Sequence, residues 1–179
     1  MRLLKIHILA AAVILIHMSA VLASNNCTPS VSNDAWKFLE TFKHGYAKYV
    51  TVDMHKICII FEETQADATA KKAIYNVSSI STDNGQANPT TNEVFQVQEC
   101  PSDMEVHLQS DGQYLYNVTI KYSDYATCTI LHHHDATHAC SMFLTQEANS
   151  DKEACLTQFV KYCGNVYYDI YYESICNRT

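Results

Sequence analysis

Glycine and proline are scarce here, four and three in 179 residues. Low-complexity and collagen-like chains need far more of both, so the composition is that of a folded domain. No long apolar run follows residue 23, and a spanning helix needs roughly 20 apolar residues. Basic residues are few, 12 Lys and Arg against 19 Asp and Glu. Nucleic acids and anionic membranes both demand a basic surface, so neither is an expected partner. No CxxC pair occurs, and the usual zinc-ribbon spacing is absent with it. No nucleophile–base pair stands in a supporting pattern, so an enzyme is not expected. No repeat, low-complexity tract or linker divides the chain.

What is present begins with an export signal. Arg2 and Lys5 precede an apolar run from Ile8 to Ala23, closed by small residues with Val21 and Ala23 before Ser24. A basic start, an apolar middle and a small-residue end describe a signal peptide, predicted at 1–23. A single secreted domain then covers 24–179. Losing Arg2 and Lys5 leaves 10 basic against 19 acidic residues, a net charge of −9. All eight cysteines fall in this domain. An even count in a secreted chain reads as four disulfides. Four Asn-x-Ser/Thr acceptors, Asn26, Asn76, Asn117 and Asn177, fit export as glycosylation sites.

The domain opens on a predicted short helix in "SNDAWKFLETFKHG", capped by Ser32 or Asn33. Trp36, Leu39 and Phe42 fall near one face, and Gly45 ends it. Eight short runs rich in Tyr, Val, Ile, Phe and Thr follow, from "GYAKYVTVD" to "ACSMFLTQ", separated by turn residues. In "QYLYNVTIKY" strict alternation puts Tyr114, Tyr116, Val118, Ile120 and Tyr122 on one face. Asn117 and Lys121 fall on the other, so the tyrosine face is read as inward. A second helix follows, with a capping box at Ser150–Glu153 and a stop at Gly164. The tail "NVYYDIYYESIC" reads as extended. Eight consecutive strands leave two bare edges unless the sheet closes. Eight is also the number at which a closed barrel just holds one small ligand. The expected fold is therefore a mainly β, eight-stranded antiparallel barrel with a C-terminal helix outside. A β-sandwich is the alternative, and it leaves the position of that helix unexplained.

Cys155 and Cys163 lie about 80° apart around the second helix, so both can face one sheet. Cys128 and Cys140 share strand faces with Ile130 and Met142, while Thr129, Leu131, Ser141 and Phe143 take the opposite face. The simplest arrangement turns the cysteines outward to the helix and the second set into the barrel. Between those two strands lies "HHHDATH". His132 and His134 alternate on one face, which allows a weak surface metal or proton site. A solvated loop is the plainer reading, and neither a metal nor a cofactor is expected.

Several segments carry a resemblance: "NDAWKFL" near the mature start, "YSDYATC" entering a strand, "CSMFL" in the next, then "ACLTQFVKYCG" and the final "YYESIC". In their order and spacing they resemble the tick salivary lipocalins, the histamine-binding protein family. The resemblance implies the pairs Cys58–Cys176, Cys128–Cys155 and Cys140–Cys163, which leaves Cys27 with Cys100. It implies a secreted, monomeric scavenger of small host mediators: amines, leukotrienes, fatty acids or cholesterol, with complement protein as a further kind of target. The positions of the family's amine-binding acids fall here on Thr129 and Ser141, and Phe143 stands where the family has Trp or Tyr. Glu93 is the one pocket acid carried over. The expected ligand-binding set is Tyr114, Tyr116, Tyr122, Thr129, Leu131, Ser141, Phe143 and Glu93, with Trp36 plugging the closed end. With the amine carboxylates missing, this lining suits an amphipathic lipid such as a leukotriene better than a histamine or serotonin cation. A protein-binding inhibitor of complement or haemostasis is the third reading.

Overall fold

A computed structural model of the protein describes residue 27 and residues 33–135, 137–146 and 152–177. The leader at 1–23, Asn26, Ser32 and the Ser150–Asp151 half of the capping box lie outside the described residues. Helix α1 (Ala35–Thr41) leads into β1 (His44–Val50), β2 (Lys56–Asp67), β3 (Lys72–Ser81) and β4 (Thr91–Val97). Then come β5 (Asp103–Leu108), β6 (Tyr114–Ser123), β7 (Cys128–His133) and β8 (Cys140–Thr145). Helix α2 (Lys152–Cys163), the short β9 (Tyr168–Asp169) and a single turn α3 (Glu173–Cys176) end the order.

Neighbours from β2 to β8 pair antiparallel in sequence order, and β8 pairs with β1. Closure comes from β1 returning to β2, with His44, Gly45 and Tyr46 opposite Glu62, Phe61 and Ile60. The sheet is thus the closed eight-stranded antiparallel barrel that the strand count predicts. β1 and β2 diverge beyond Tyr46, and the tail fills the opening. Tyr49 and Val50 pair with Asp169 and Tyr168 of β9. The Ile170 amide donates to the Lys48 carbonyl at 3.0 Å, and the Cys58 amide donates to the Ile170 carbonyl at 2.8 Å. Lys48 Nζ pairs with Asp169 at 2.7 Å. The tail is therefore a two-residue strand and a helical turn, where the sequence suggested an extended run.

Helix α1 caps one end. Its N-cap is Asp34, whose side chain accepts from the Lys37 amide at 3.1 Å, rather than Ser32 or Asn33. It buries Ala35, Phe38 and Leu39, and Phe42 follows on the same face. Phe38 and Phe42, with ring centroids 5.1 Å apart, fill the barrel end, and Trp36 packs partly buried beside them. Gly45 does not stop the helix. The chain leaves helical geometry at Phe42, and Gly45 sits in β1, where a Cβ would strike the Leu144 carbonyl oxygen and the Phe42 ring. The Ala35 amide donates to the Pro101 carbonyl at 2.7 Å, and the Asp34 amide donates to the Tyr125 hydroxyl at 2.7 Å. These bonds tie the cap to the β4–β5 and β6–β7 turns.

Two apolar clusters result, one on each side of the wall. Inside lie Phe38, Phe42, Phe61, Tyr75, Phe95, Met104, Val118, Ile120, Leu131 and Phe143. Outside, Cys128, Ile130, Cys140, Met142 and Leu144 pack against Cys155 and Phe159 of α2. Phe159 is fully buried there. The bonds Cys128–Cys155 and Cys140–Cys163 fasten α2 to the last hairpin, with Cα atoms 5.9 Å apart in each. Cys58–Cys176 fastens the tail, and Cys27–Cys100 fastens the residues before α1. Three of these are the pairs that the resemblance implies, and Cys27–Cys100 is the pair those three leave. Each such bond stabilises by about 2–4 kcal/mol.

Candidate ligand-binding site

The barrel interior divides into two levels. Near α1, Phe38, Phe42, Phe61, Phe95, Leu131 and Phe143 meet around a residual space of only about 20 Å³. Edge-on packing holds these rings: Phe61 and Phe143 have centroids 5.0 Å apart at 75°, and Tyr75 and Phe95 lie 5.3 Å apart at 76°. The Tyr75 hydroxyl donates to the Phe42 carbonyl at 2.8 Å, which satisfies a backbone group left over where α1 ends. Burial pushes that phenol far above its ordinary pKa. This level is a packed floor.

Above it, at the end away from α1, a chamber of about 190 Å³ opens between the β1–β2, β3–β4 and β7–β8 connections. Apolar walls come from Ala47, Val50, Ile59, Phe61, Val77 and Phe143. Polar groups converge from Thr91, Glu93, Tyr116, His133, Asp135 and Ser141, with Lys56 and Asn88 also lining it. Strand alternation places the central groups: Glu93 shares a face of β4 with Phe95, and His133 shares a face of β7 with Leu131, while Asp135 and Asn88 come from the connections.

Glu93 is the chemical centre of the chamber. Its Oε2 accepts from the Tyr116 hydroxyl at 3.0 Å, and its Oε1 accepts from Thr91 Oγ1 at 3.2 Å. Burial raises its pKa above the ordinary carboxylate range, and the two hydrogen bonds and the Lys56 charge offset only part of that. Among the described residues no cationic group stands within ion-pair distance of it. Tyr116 is itself held well above its ordinary pKa, by burial first and then by the Glu93 charge. Opposite, His133 Nε2 shares a hydrogen bond with Ser141 Oγ at 2.8 Å. Burial lowers the His133 pKa to about 4, with the Asp135 charge opposing, so the imidazole is neutral at physiological pH. The chamber therefore offers the Glu93 carboxylate without an ion-pair partner, a neutral imidazole and a hydroxyl, with Asp135 and Lys56 also on its wall, set among apolar and aromatic side chains.

Of the nine residues named for the site, eight as ligand contacts and Trp36 as the plug, Tyr116, Glu93, Ser141 and Phe143 line the chamber, and Leu131 lines the floor. The other four lie elsewhere. Tyr114 is 52% exposed, with its ring edge-on to His107 at 5.7 Å. Tyr122 joins the outer cluster. The cause is irregular register: β6 slips against β5 between Val106 and His107, and against β7 between Ile120 and Tyr122. A slip of one residue turns a side chain to the other face. Thr129 points inward but is spent on Ser123, Oγ to Oγ 2.8 Å, at the closed end. Trp36 belongs to the end cap. The sequence reading missed His133, Asp135, Phe61 and Phe95. Alternation along β7 was the available signal for His133, two residues past Leu131. Of the glycan acceptors, Asn76 and Asn117 lie on strands and are partly buried, and Asn177 is exposed with its Oδ1 accepting from the Tyr171 hydroxyl at 2.7 Å.

With a barrel, an end cap and an interior chamber in place, comparison with known proteins is decisive. The family model described as tick histamine binding protein matches residues 25–177. The chain belongs to the tick histamine-binding protein family. Among solved structures, this tick lipocalin is similar to the AM182 serotonin complex at TM-score 0.60 and 16% identity, covering 86% of this chain and 97% of that one. It is similar also to japanin from Rhipicephalus appendiculatus bound to cholesterol, at TM-score 0.59 and 10% identity over 78% and 98% of the two chains. Apocrustacyanin C2 gives TM-score 0.54 at 14% identity over 85% and 82%. At these identities the likeness is one of fold. Curated protein sequences contain no match. Family and fold are those of ligand-binding lipocalins, and four disulfides suit an oxidising, extracellular setting.

Proposed function

We propose that this lipocalin is a secreted, monomeric scavenger that holds a small protonated amine of the histamine or serotonin type in its upper chamber. Glu93 is the counter-ion. The observation that carries this reading is a largely buried carboxylate, bonded to Tyr116 and Thr91, that lines an open chamber with no ion-pair partner among the described residues, the Lys56 charge on the same wall acting on it at longer range. An isolated buried charge is costly, and an entering ammonium group relieves that cost. His133, Ser141 and Asp135 supply hydrogen-bond partners for a ring nitrogen or hydroxyl. Tyr116 and Phe143 supply the aromatic wall. The serotonin in the related AM182 complex supports the same reading.

The amphipathic lipid, which the sequence placed first, stands second here. A chamber of about 190 Å³ falls below the roughly 300–1,000 Å³ typical of drug-sized ligands. One observation favours the lipid: chamber and floor share Phe61, Tyr116, His133 and Phe143 in their walls, so movement of these rings would join the two spaces. Cholesterol in japanin is in keeping with that. Calorimetry with histamine, serotonin, leukotriene B4 and cholesterol separates the readings. Saturable amine binding with no lipid heat supports the first; lipid binding without amine binding replaces it. A pull-down from host plasma tests for a protein target.

A further inference from the structure

The histidine-rich hairpin plays no part in the chamber, apart from His133 and Asp135. We propose that the outer face of β6 and β7 carries a second, separate site, for a divalent transition-metal ion of the zinc type, with His132, His134 and His138 as ligands.

The register sets the face. Thr119 lies opposite His132, and the His134 amide donates to the Asn117 carbonyl at 2.8 Å, so Asn117, Thr119, His132 and His134 form one outward-facing square. Three buried side-chain polar atoms among the described residues have no hydrogen-bond partner, and two of them belong to this square: His132 Nδ1 and Asn117 Oδ1. An unpartnered buried nitrogen and an unpartnered buried carbonyl oxygen on one face are what a bound cation would satisfy.

The tautomer of His134 fits as well. Thr119 Oγ1 donates to Asp103 Oδ1 at 2.7 Å. Its proton is spent there, so in its 2.7 Å contact with His134 Nε2 the threonine oxygen accepts and the ring N–H donates. The Nδ1 of His134 is left as the lone-pair nitrogen. An Asp–Thr–His relay of this kind is how ligating imidazoles are oriented from behind. The His132 and His134 ring centroids lie 5.0 Å apart. Two imidazoles at tetrahedral angles on zinc, with Zn–N about 2.0–2.1 Å, put their centroids about 5 Å apart. His138 stacks over His132 at 6.2 Å from the following turn. Among the described residues no three side chains already surround a single point. Binding therefore draws in the His138 ring by side-chain rotation, while His132 and His134 stay fixed. Lys121 adds a nearby positive charge, and Asp103 and Asp135 oppose it.

The test is calorimetric titration of the secreted protein with Zn²⁺ at pH 7.5, run in parallel on Asn117→Gln, which lacks the glycan acceptor but keeps an amide carbonyl. One equivalent bound at micromolar concentration in either form is expected. His132→Ala or His134→Ala should each weaken it at least tenfold, while His55→Ala and His107→Ala leave it unchanged. Nitrogen-15 spectra of the histidine rings should place the metal on Nδ1 of His134. No binding by either form below about 100 µM overturns the site. So does an affinity untouched in the folded His132→Ala/His134→Ala double variant, with folding checked by circular dichroism.

Discussion

The two levels of the barrel are built from the same strands and do opposite things. Strands β2, β4, β7 and β8 each send a side chain to both: Phe61 touches both spaces, Phe95 lies below Glu93, Leu131 below His133, and Phe143 beside Ser141. Below, phenylalanine rings dominate and meet edge to edge, the polar Tyr75 and Thr129 are spent on internal hydrogen bonds, and about 20 Å³ is left. Above, the next inward position is polar, and about 190 Å³ is open. A change of two residues along a strand thus separates the part that holds the fold from the part that holds a ligand. The floor gains stability from burial; the chamber gives some of it up, since a buried carboxylate and a buried imidazole both favour their neutral forms.

If that division is real, a change in the floor should cost stability and spare binding. Phe95→Ala removes a ring that is 5% exposed and packs on Phe61 and Tyr75. It should destabilise the protein by about 3–5 kcal/mol, read as a lower urea midpoint, with amine affinity changed less than threefold. An equal loss of both would show that the two levels are one unit.

The next largest effect is a pH dependence set by His133. An unfolded histidine takes its proton near pH 6.5, whereas the folded His133 waits until about 4. Between those values the unfolded chain binds more protons, so this residue's contribution is intact above about 6.5 and is lost as pH falls toward 4. Its size is on the order of 3 kcal/mol. Glu93 acts in the opposite direction: its folded pKa is raised, so its contribution is full below the ordinary carboxylate range and fades as pH rises. His133→Gln keeps a group near the Nε2 position for Ser141 and removes the titration. Denaturant melts at pH 7 and pH 4.5 should show a smaller pH effect in the variant; an unchanged difference would place the buried charge elsewhere.

How much of this was legible in the sequence follows the same division. The barrel was legible because alternation, strand count and turn residues all act locally. The outward cysteines of β7 and β8 were legible too, since Cys128 and Cys140 keep parity with Ile130 and Met142 throughout. Tyr114 and Tyr122 were misplaced because a β-bulge inserts a residue without any mark in the composition, and strict period-2 counting carries the error along the strand. Thr129 was given its face correctly, but its partner, Ser123, lies across a turn that the alternation does not describe. Glu93 and His133 differ in kind. Their faces could be counted, but their roles depend on burial and on Tyr116 and Ser141, which other strands supply.

Glu93→Gln is the sharpest test of the upper level. It keeps the shape and the Tyr116 hydrogen bond while removing the charge. Hydrogen bonds to charged groups contribute about 1.5–3 kcal/mol, so amine affinity should fall at least tenfold. At pH 7 the variant should be as stable as the parent or more so, because a buried charge has been replaced by a neutral group. Affinity in the parent should also weaken as pH drops below the raised Glu93 pKa, since a protonated carboxyl no longer attracts an ammonium ion. If Glu93→Gln lowers stability and leaves amine binding alone, the carboxylate is structural and the amine reading fails while the fold stands.

The smallest expected effect lies across the chamber, at Ser141. Its hydroxyl is buried and serves His133 Nε2 alone among the described residues. Ser141→Ala leaves that nitrogen without its protein partner, a loss of about 1 kcal/mol by the usual range for one hydrogen bond. The consequence depends on whether the chamber is occupied. In the empty protein His133 loses a partner and stability falls slightly. With an amine bound, a ligand nitrogen or hydroxyl that reaches His133 takes the serine's place, and the penalty shrinks. Thermal melts of Ser141→Ala with and without saturating serotonin should therefore show a larger ligand-induced shift than the parent, whereas an equal or smaller shift would mean that the ligand engages the carboxylate side only.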